Sequence, residues 1–124
     1  MSTIKTETLS TPSNATVPVD TVVNGTAKAW VNFNGEGTVA IRRAFNVSSI
    51  TDEGTGNYTV NFTTAMQDSD YALVGSAGEG ASSLRAVCAN YNLAAPTTTA
   101  ARIQTPYANG ALADVPYVNA AFMG

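Results

Sequence analysis

The sequence predicts an all-β fold, an antiparallel β-sandwich or jelly-roll-like head with an extended N-terminal arm. Three observations predict it. Short runs rich in Val, Ile, Thr, Tyr and Phe alternate apolar and polar residues; Gly, Asn, Pro or Thr clusters interrupt them at intervals of roughly 8 to 12 residues; and no helical period of comparable length competes. With 124 residues the chain can enclose one modest core but not two. Residues 1–26 are therefore read as the arm and residues 27–124 as a single head domain.

The arm is assigned first from what it lacks. Met1 to Thr16 holds few large apolar residues, with Ile4 and Leu9 separated by Lys5, Thr6, Glu7 and Thr8. Alone it cannot bury enough surface to offset the entropy of ordering, so a partner or a neighbouring copy must hold it. The following run, Val17-Pro18-Val19-Asp20-Thr21-Val22-Val23, is β-branched with an early proline, which suits an edge or exchanged strand, and Asn24-Gly25 ends it. Ile4, Leu9, Val17 and Val19 are the candidate anchor residues.

The head opens with two predicted hairpins. Lys28 to Asn34 reaches the turn Asn34-Gly35-Glu36-Gly37, after which Val39, Ile41 and Arg43 share one face by period two. Val47–Thr51 and Tyr58–Phe62 then bracket Asp52-Glu53-Gly54-Thr55-Gly56, with Tyr58, Val60 and Phe62 on the face expected to be buried. Further strands are expected over Tyr71–Ser76, Leu84–Asn90, Ala101–Thr105 and Tyr117–Phe122. The Ala-rich stretch Leu93 to Ala101 is broken by Pro96 and three threonines, which excludes a helix there.

Charged residues are 12% of the chain, about half the usual share for a soluble domain. A surface of Thr, Ser, Asn, Ala and Gly opposes close approach of copies only weakly, which favours self-assembly. The net charge of −3 argues against nucleic-acid binding, which draws on clustered Lys and Arg. Arg42-Arg43 is the one basic pair and reads as an ordinary solvated or ion-paired feature. No run approaches the ~20 apolar residues that span a bilayer, and the N-terminus lacks the apolar centre of a secretory signal. Neither membrane insertion nor signal-directed export is expected, and the protein is read as soluble.

Catalytic chemistry finds little support. The chain has no histidine, which removes the commonest general base and metal ligand at neutral pH. The single cysteine, Cys88, sits in an apolar run and reads as a small buried hydrophobe. Most carboxylates stand beside Gly, Asn or Ser in predicted turns, and no pair is marked out for glycoside hydrolysis. Asp68-Ser69-Asp70 lacks the further ligands of a calcium loop, and Gly75-Ser76-Ala77-Gly78-Glu79-Gly80 lacks the Lys-Ser/Thr of a phosphate loop. Five Asn-x-Ser/Thr sequons, at Asn14, Asn24, Asn46, Asn57 and Asn61, follow from the abundance of Asn and Thr. No catalytic residue, cofactor or metal is expected. Trp30, Phe33, Phe45, Tyr58 and Phe62 are read as core or interface aromatics rather than a sugar-stacking face. The loop residues Tyr91 and Tyr107 are the candidate receptor contacts.

The segments AWVNFNGEGTVAIR, FNVSSITDEGTGNYTVNFT and AM..DSDYAL, within Lys28 to Val74, closely resemble a block found in tail-fibre and related virion structural proteins of tailed bacteriophages. The resemblance implies a non-enzymatic virion component assembled in the host cytoplasm, a homotrimer with an all-β head, displayed on a tail fibre and used for host attachment, with residues 1–26 as its particle-attachment segment. Its implied partners are copies of itself, other phage virion proteins, and a glycan or protein of the host surface. The long shaft of a typical fibre is missing, and the block does not extend beyond Gly75. A β-domain with an arm also suits the alternative of a capsid decoration or cement protein. Exposed aromatics around Gly78–Ser83 and Asn90–Thr99 would favour attachment, whereas an arm carrying the binding energy would favour cementing.

Overall fold

The computed structural model describes residues 3–80 and 84–124, and antiparallel strands dominate it. The arm begins with a small hairpin, β1 (Thr8–Ser10) against β2 (Thr16–Pro18), in which Leu9 lies opposite Val17. Asn14 takes a left-handed φ of 66° in its turn, a conformation Asn tolerates better than most residues. A short helix, α1 (Val19–Gly25), follows.

The β-branched run from Val17 to Val23 is therefore not one strand, and the arm is not simply extended. Pro18 (φ −60°, ψ 140°) stands just before the helix, and Asp20 puts a carboxylate in its first turn. Both features favour a helix start. A strand here would also need a partner beyond β1 for its backbone groups, whereas a helix bonds to itself. Of the four anchor candidates, Ile4 and Leu9 are exposed, and Val17 and Val19 are half-buried.

The head consists of β3 (Ala27–Asn34), β4 (Ala40–Phe45), β5 (Val47–Gly54), β6 (Asn57–Phe62), β7 (Ala72–Gly78), β8 (Ala100–Gln104) and β9 (Tyr117–Met123). They form two antiparallel sheets, ordered β4-β3-β9-β7 and β5-β6-β8. Both expected hairpins are present. In the first, the register slips between Asn32 and Phe33, so that Asn32 pairs with Arg43 but Phe33 pairs with Ile41. Paired residues share a face and successive residues do not. Ile41 and Arg43 consequently lie on opposite faces, not on one as simple alternation implied, because Arg42 is the extra residue of a bulge. The second hairpin runs further than expected, with β5 reaching Gly54 and the turn closing on Gly54 and Gly56 at φ 128° and 61°.

Leu84–Asn90 is not a strand. It makes only isolated bridges, Arg85 with Tyr107 and Cys88 with Gln104. Arg85 turns inward, its Nη2 2.6 Å from Glu79 and its guanidinium 3.3 Å from the Tyr107 ring centre. Cys88 is half-buried rather than enclosed, and burial pushes its thiol pKa up.

Each sheet contributes its inward row to one core. Ala29, Val31 and Phe33 of β3 and Val118, Ala120 and Phe122 of β9 meet Tyr58, Val60 and Phe62 of β6 and Ala101 and Ile103 of β8. Edge-to-face contacts cross between the sheets, Phe33 to Tyr58 at 5.1 Å and Phe62 to Phe122 at 5.0 Å. Such pairs add about 0.5–1.5 kcal/mol to the burial of the rings. The chain passes from β4 to β5 at Asn46 (φ 54°), whose amide donates to the carbonyls of Lys28 and Thr64, both at 3.1 Å.

Candidate interaction surface

The two sheets present different chemistry outward. On the three-stranded sheet the outward residues satisfy one another. Thr59 Oγ1 donates to Glu53 Oε1 at 2.8 Å, Arg102 lies 3.4 Å from the Glu53 carboxylate, and Asn61 Nδ2 donates to the hydroxyls of Ser49 and Thr51. This is a surface matched to water.

The four-stranded sheet is unlike it. Between the buried Ala29 and Val31, Trp30 must point outward, and the register places it level with Phe45, Ala121 and Val74. One apolar row therefore crosses all four strands. Phe45 is 54% exposed and Val74 55%. The small Ala121 between Trp30 and Val74 leaves a hollow of about 450 Å3 that Asn32, Ser76 and Asn119 also line. The adjacent row is polar, with Asn32 donating to Asn119 and Asn119 to Ser76. Arg42 donates to Asn32 Oδ1 at 3.3 Å and lies 4.3 Å from the centre of the Tyr117 ring. The four strands carry Lys28, Arg42 and Arg43 and no carboxylate. An apolar row beside a cationic edge is what an anionic, partly apolar partner recognises.

Residues 3–26 leave several large apolar side chains exposed. Helix α1 buries none of its residues. Lys28 Nζ ties its end to β3 by donating to the carbonyls of Val23 and Thr26. Ile4 is 90% exposed and Val23 52%, and Leu9 and Val22 are exposed as well. A cleft of about 440 Å3 lies at the same pole, with Phe45, Asn46, Thr63, Met66 and Gln67 among its walls.

Tyr91 and Tyr107 are not brought together. Tyr91 is exposed in a turn near Tyr71 and Pro96. Tyr107 belongs to a separate hollow with Leu84 and Asn109, and its ring supports Arg85. The expected loop Gly78–Ser83 extends at residues 81–83 outside the described residues. Sequence reasoning missed Val74, Ala121 and Tyr117 as surface-forming residues. The available signal was Trp30 at an outward position in an otherwise regular alternation.

Five carboxylates have structural partners. Asp114 accepts from Tyr58 and Gly56, Glu53 from Thr59, Glu79 from Arg85, and Asp52 and Asp68 from backbone amides two residues on. Among the described residues, no group of three or more His, Cys, Asp or Glu is placed to hold a metal, and no helix is long and apolar enough to cross a membrane. No family model matches the chain, and no curated protein or solved structure matches it either.

Proposed function

We propose that this chain is a non-enzymatic structural component of a bacteriophage virion, a tail-fibre-like protein that assembles with copies of itself and contributes to attachment at the host surface. In this reading residues 27–124 form a two-layer sandwich head, residues 1–26 form the particle-attachment arm, and the assembly is a homotrimer. Its partners are other virion proteins and a host-surface glycan or protein, with no role for a cofactor, nucleic acid or membrane insertion. The observation that carries the reading is the asymmetry of the head. One outward face is polar and self-satisfied, while the other crosses Phe45, Trp30, Ala121 and Val74 with an unpartnered apolar row. Apolar surface of that kind marks an assembly face rather than a free monomer. The structural work done by Asp114, Glu53 and Glu79 supports the non-enzymatic part of the reading.

The arm favours a second reading, a capsid decoration or cement protein. Ile4, Leu9, Val22 and Val23 are exposed, and a segment built this way gains order and affinity when it clamps a neighbour. Cryo-electron microscopy of intact particles separates the two. Density for this chain on the tail or its fibres supports attachment, density spread over the shell supports decoration, and absence from the particle overturns both.

A further inference from the structure

We propose that the outward face of the four-stranded sheet is the seat for the N-terminal arm of a second copy of this chain. The inference rests on the self-assembly in the reading above and specifies the contact that produces it.

Two surfaces of the same molecule lack partners, and each has what the other needs. The face offers the row Phe45, Trp30, Ala121 and Val74, with its hollow over Ala121. The arm offers Leu9, Val22 and Val23, all exposed, on a hairpin with three-residue strands and a seven-residue helix. A lone two-stranded hairpin is marginal in water, and so is a helix shorter than about 12 residues. The arm therefore needs a surface to hold it, and among the described residues the side-chain hydrogen bonds from its own head come from Lys28 at the end of the helix.

Charge selects the arm as occupant. The face carries Arg42 and Arg43, with Lys28 at its margin, and its strands have no carboxylate. The arm carries Glu7 and Asp20 against Lys5. Docking two copies of the face on each other would oppose arginine to arginine, which is unfavourable, whereas an arm brings carboxylates to them. The contact is heterologous, since each copy gives an arm and receives one, so it closes into a ring when the rotation between copies permits.

The test uses the full chain in a Cys88→Ala background. Val23→Cys is made in one preparation and Val74→Cys in another, and the two are mixed, their masses measured by light scattering, and then mildly oxidised. The expected result is an oligomeric mass before oxidation and a disulfide-linked pair that joins one chain of each kind. Phe45→Cys serves as a second acceptor position if Val74→Cys disturbs the fold by circular dichroism. An oligomeric mass with no cross-link from either position overturns the arm contact and leaves self-assembly standing. A monomeric mass overturns both. A chain carrying both Val23→Cys and Val74→Cys is oxidised in parallel, and a cross-link that forms only within single chains of it shows the arm folded back on its own head, and overturns the proposal as well. In parallel, Asp20→Lys and Arg42→Glu/Arg43→Glu should each weaken association about tenfold, and their combination should restore it.

Discussion

The hydroxyl of Tyr58 lies 2.8 Å from Asp114 Oδ1 and 2.8 Å from the Gly35 carbonyl. The same carboxylate accepts from the Gly56 amide at 2.7 Å. One buried ring thus joins the turn after β3, the turn after β5 and the segment leading to β9, three regions distant in sequence. Gly35 N–H donating to the Val115 carbonyl at 2.9 Å and Thr105 N–H donating to the Gly56 carbonyl at 2.9 Å complete the connection.

Tyr58→Phe keeps the ring and removes the hydroxyl, so Asp114 loses a donor in a partly buried site. The expected cost is about 1–3 kcal/mol, read as a lower denaturant midpoint with an unchanged slope. Asp114→Ala strips partners from both Tyr58 and Gly56 and should cost at least as much. A Tyr58→Phe protein as stable as the original would show that the connection contributes nothing.

The two turns should respond differently to alanine. At Gly56 (φ +61°) a Cβ would stand 2.7 Å from the Ala113 backbone nitrogen, whereas at Gly37 (φ +58°) it would meet nothing within 4 Å. Gly37→Ala incurs only the left-handed backbone penalty, about 1–2 kcal/mol. Gly56→Ala adds a clash with backbone that cannot easily move, a further 1–3 kcal/mol or so. Thermal unfolding of the two variants side by side gives the difference.

Alkaline pH should destabilise the head. Burial first, then the Asp114 hydrogen bond and charge, raise the Tyr58 pKa strongly, and burial pushes Tyr71 up to about 12. The unfolded phenols ionise near pH 10, so above that pH the unfolded chain releases protons that the folded chain retains. The stability these two groups contribute is thus intact below about pH 10 and declines as pH rises through the folded values, by up to about 1.4 kcal/mol per pH unit for each tyrosine. Tyr71→Phe should make the decline between pH 10 and 12 shallower by about one tyrosine. Denaturant titrations at stepped pH measure it.

Trp30 is the chain's single tryptophan and lies on the proposed assembly face, so its fluorescence reports that face alone. Emission should shift to shorter wavelength as protein concentration rises and copies cover the ring. A spectrum independent of concentration, in a sample whose mass changes, would mean that assembly uses another surface.

The candidate receptor contacts should separate by stability. Tyr91 is 63% exposed, and Tyr91→Ala should change stability by no more than about 0.5 kcal/mol. Tyr107 stacks under Arg85, a guanidinium almost wholly enclosed and paired with Glu79. Tyr107→Ala should therefore cost about 1–2 kcal/mol. If so, loss of host adsorption in Tyr91→Ala can be read as loss of contact, whereas the same loss in Tyr107→Ala cannot.

What the sequence determined by itself is local. Alternation with period two placed Tyr58, Val60 and Phe62 on a buried face, and Asn-Gly and Gly-x-Gly turns set both hairpins, because side-chain direction and turn chemistry depend on near neighbours. Tertiary structure decided the rest. Whether Val19–Gly25 coils or extends depends on whether a sheet edge lies within reach. Leu84–Asn90 pairs only through isolated bridges, Arg85 to Tyr107 and Cys88 to Gln104, and its own residues do not encode which segments lie opposite it. The bulge at Arg42 reversed the face of Ile41, since a one-residue slip in pairing register is invisible in either strand alone. The row Phe45, Trp30, Ala121 and Val74 exists only because pairing sets four separate strands side by side, and no single-strand pattern encodes which of them are neighbours.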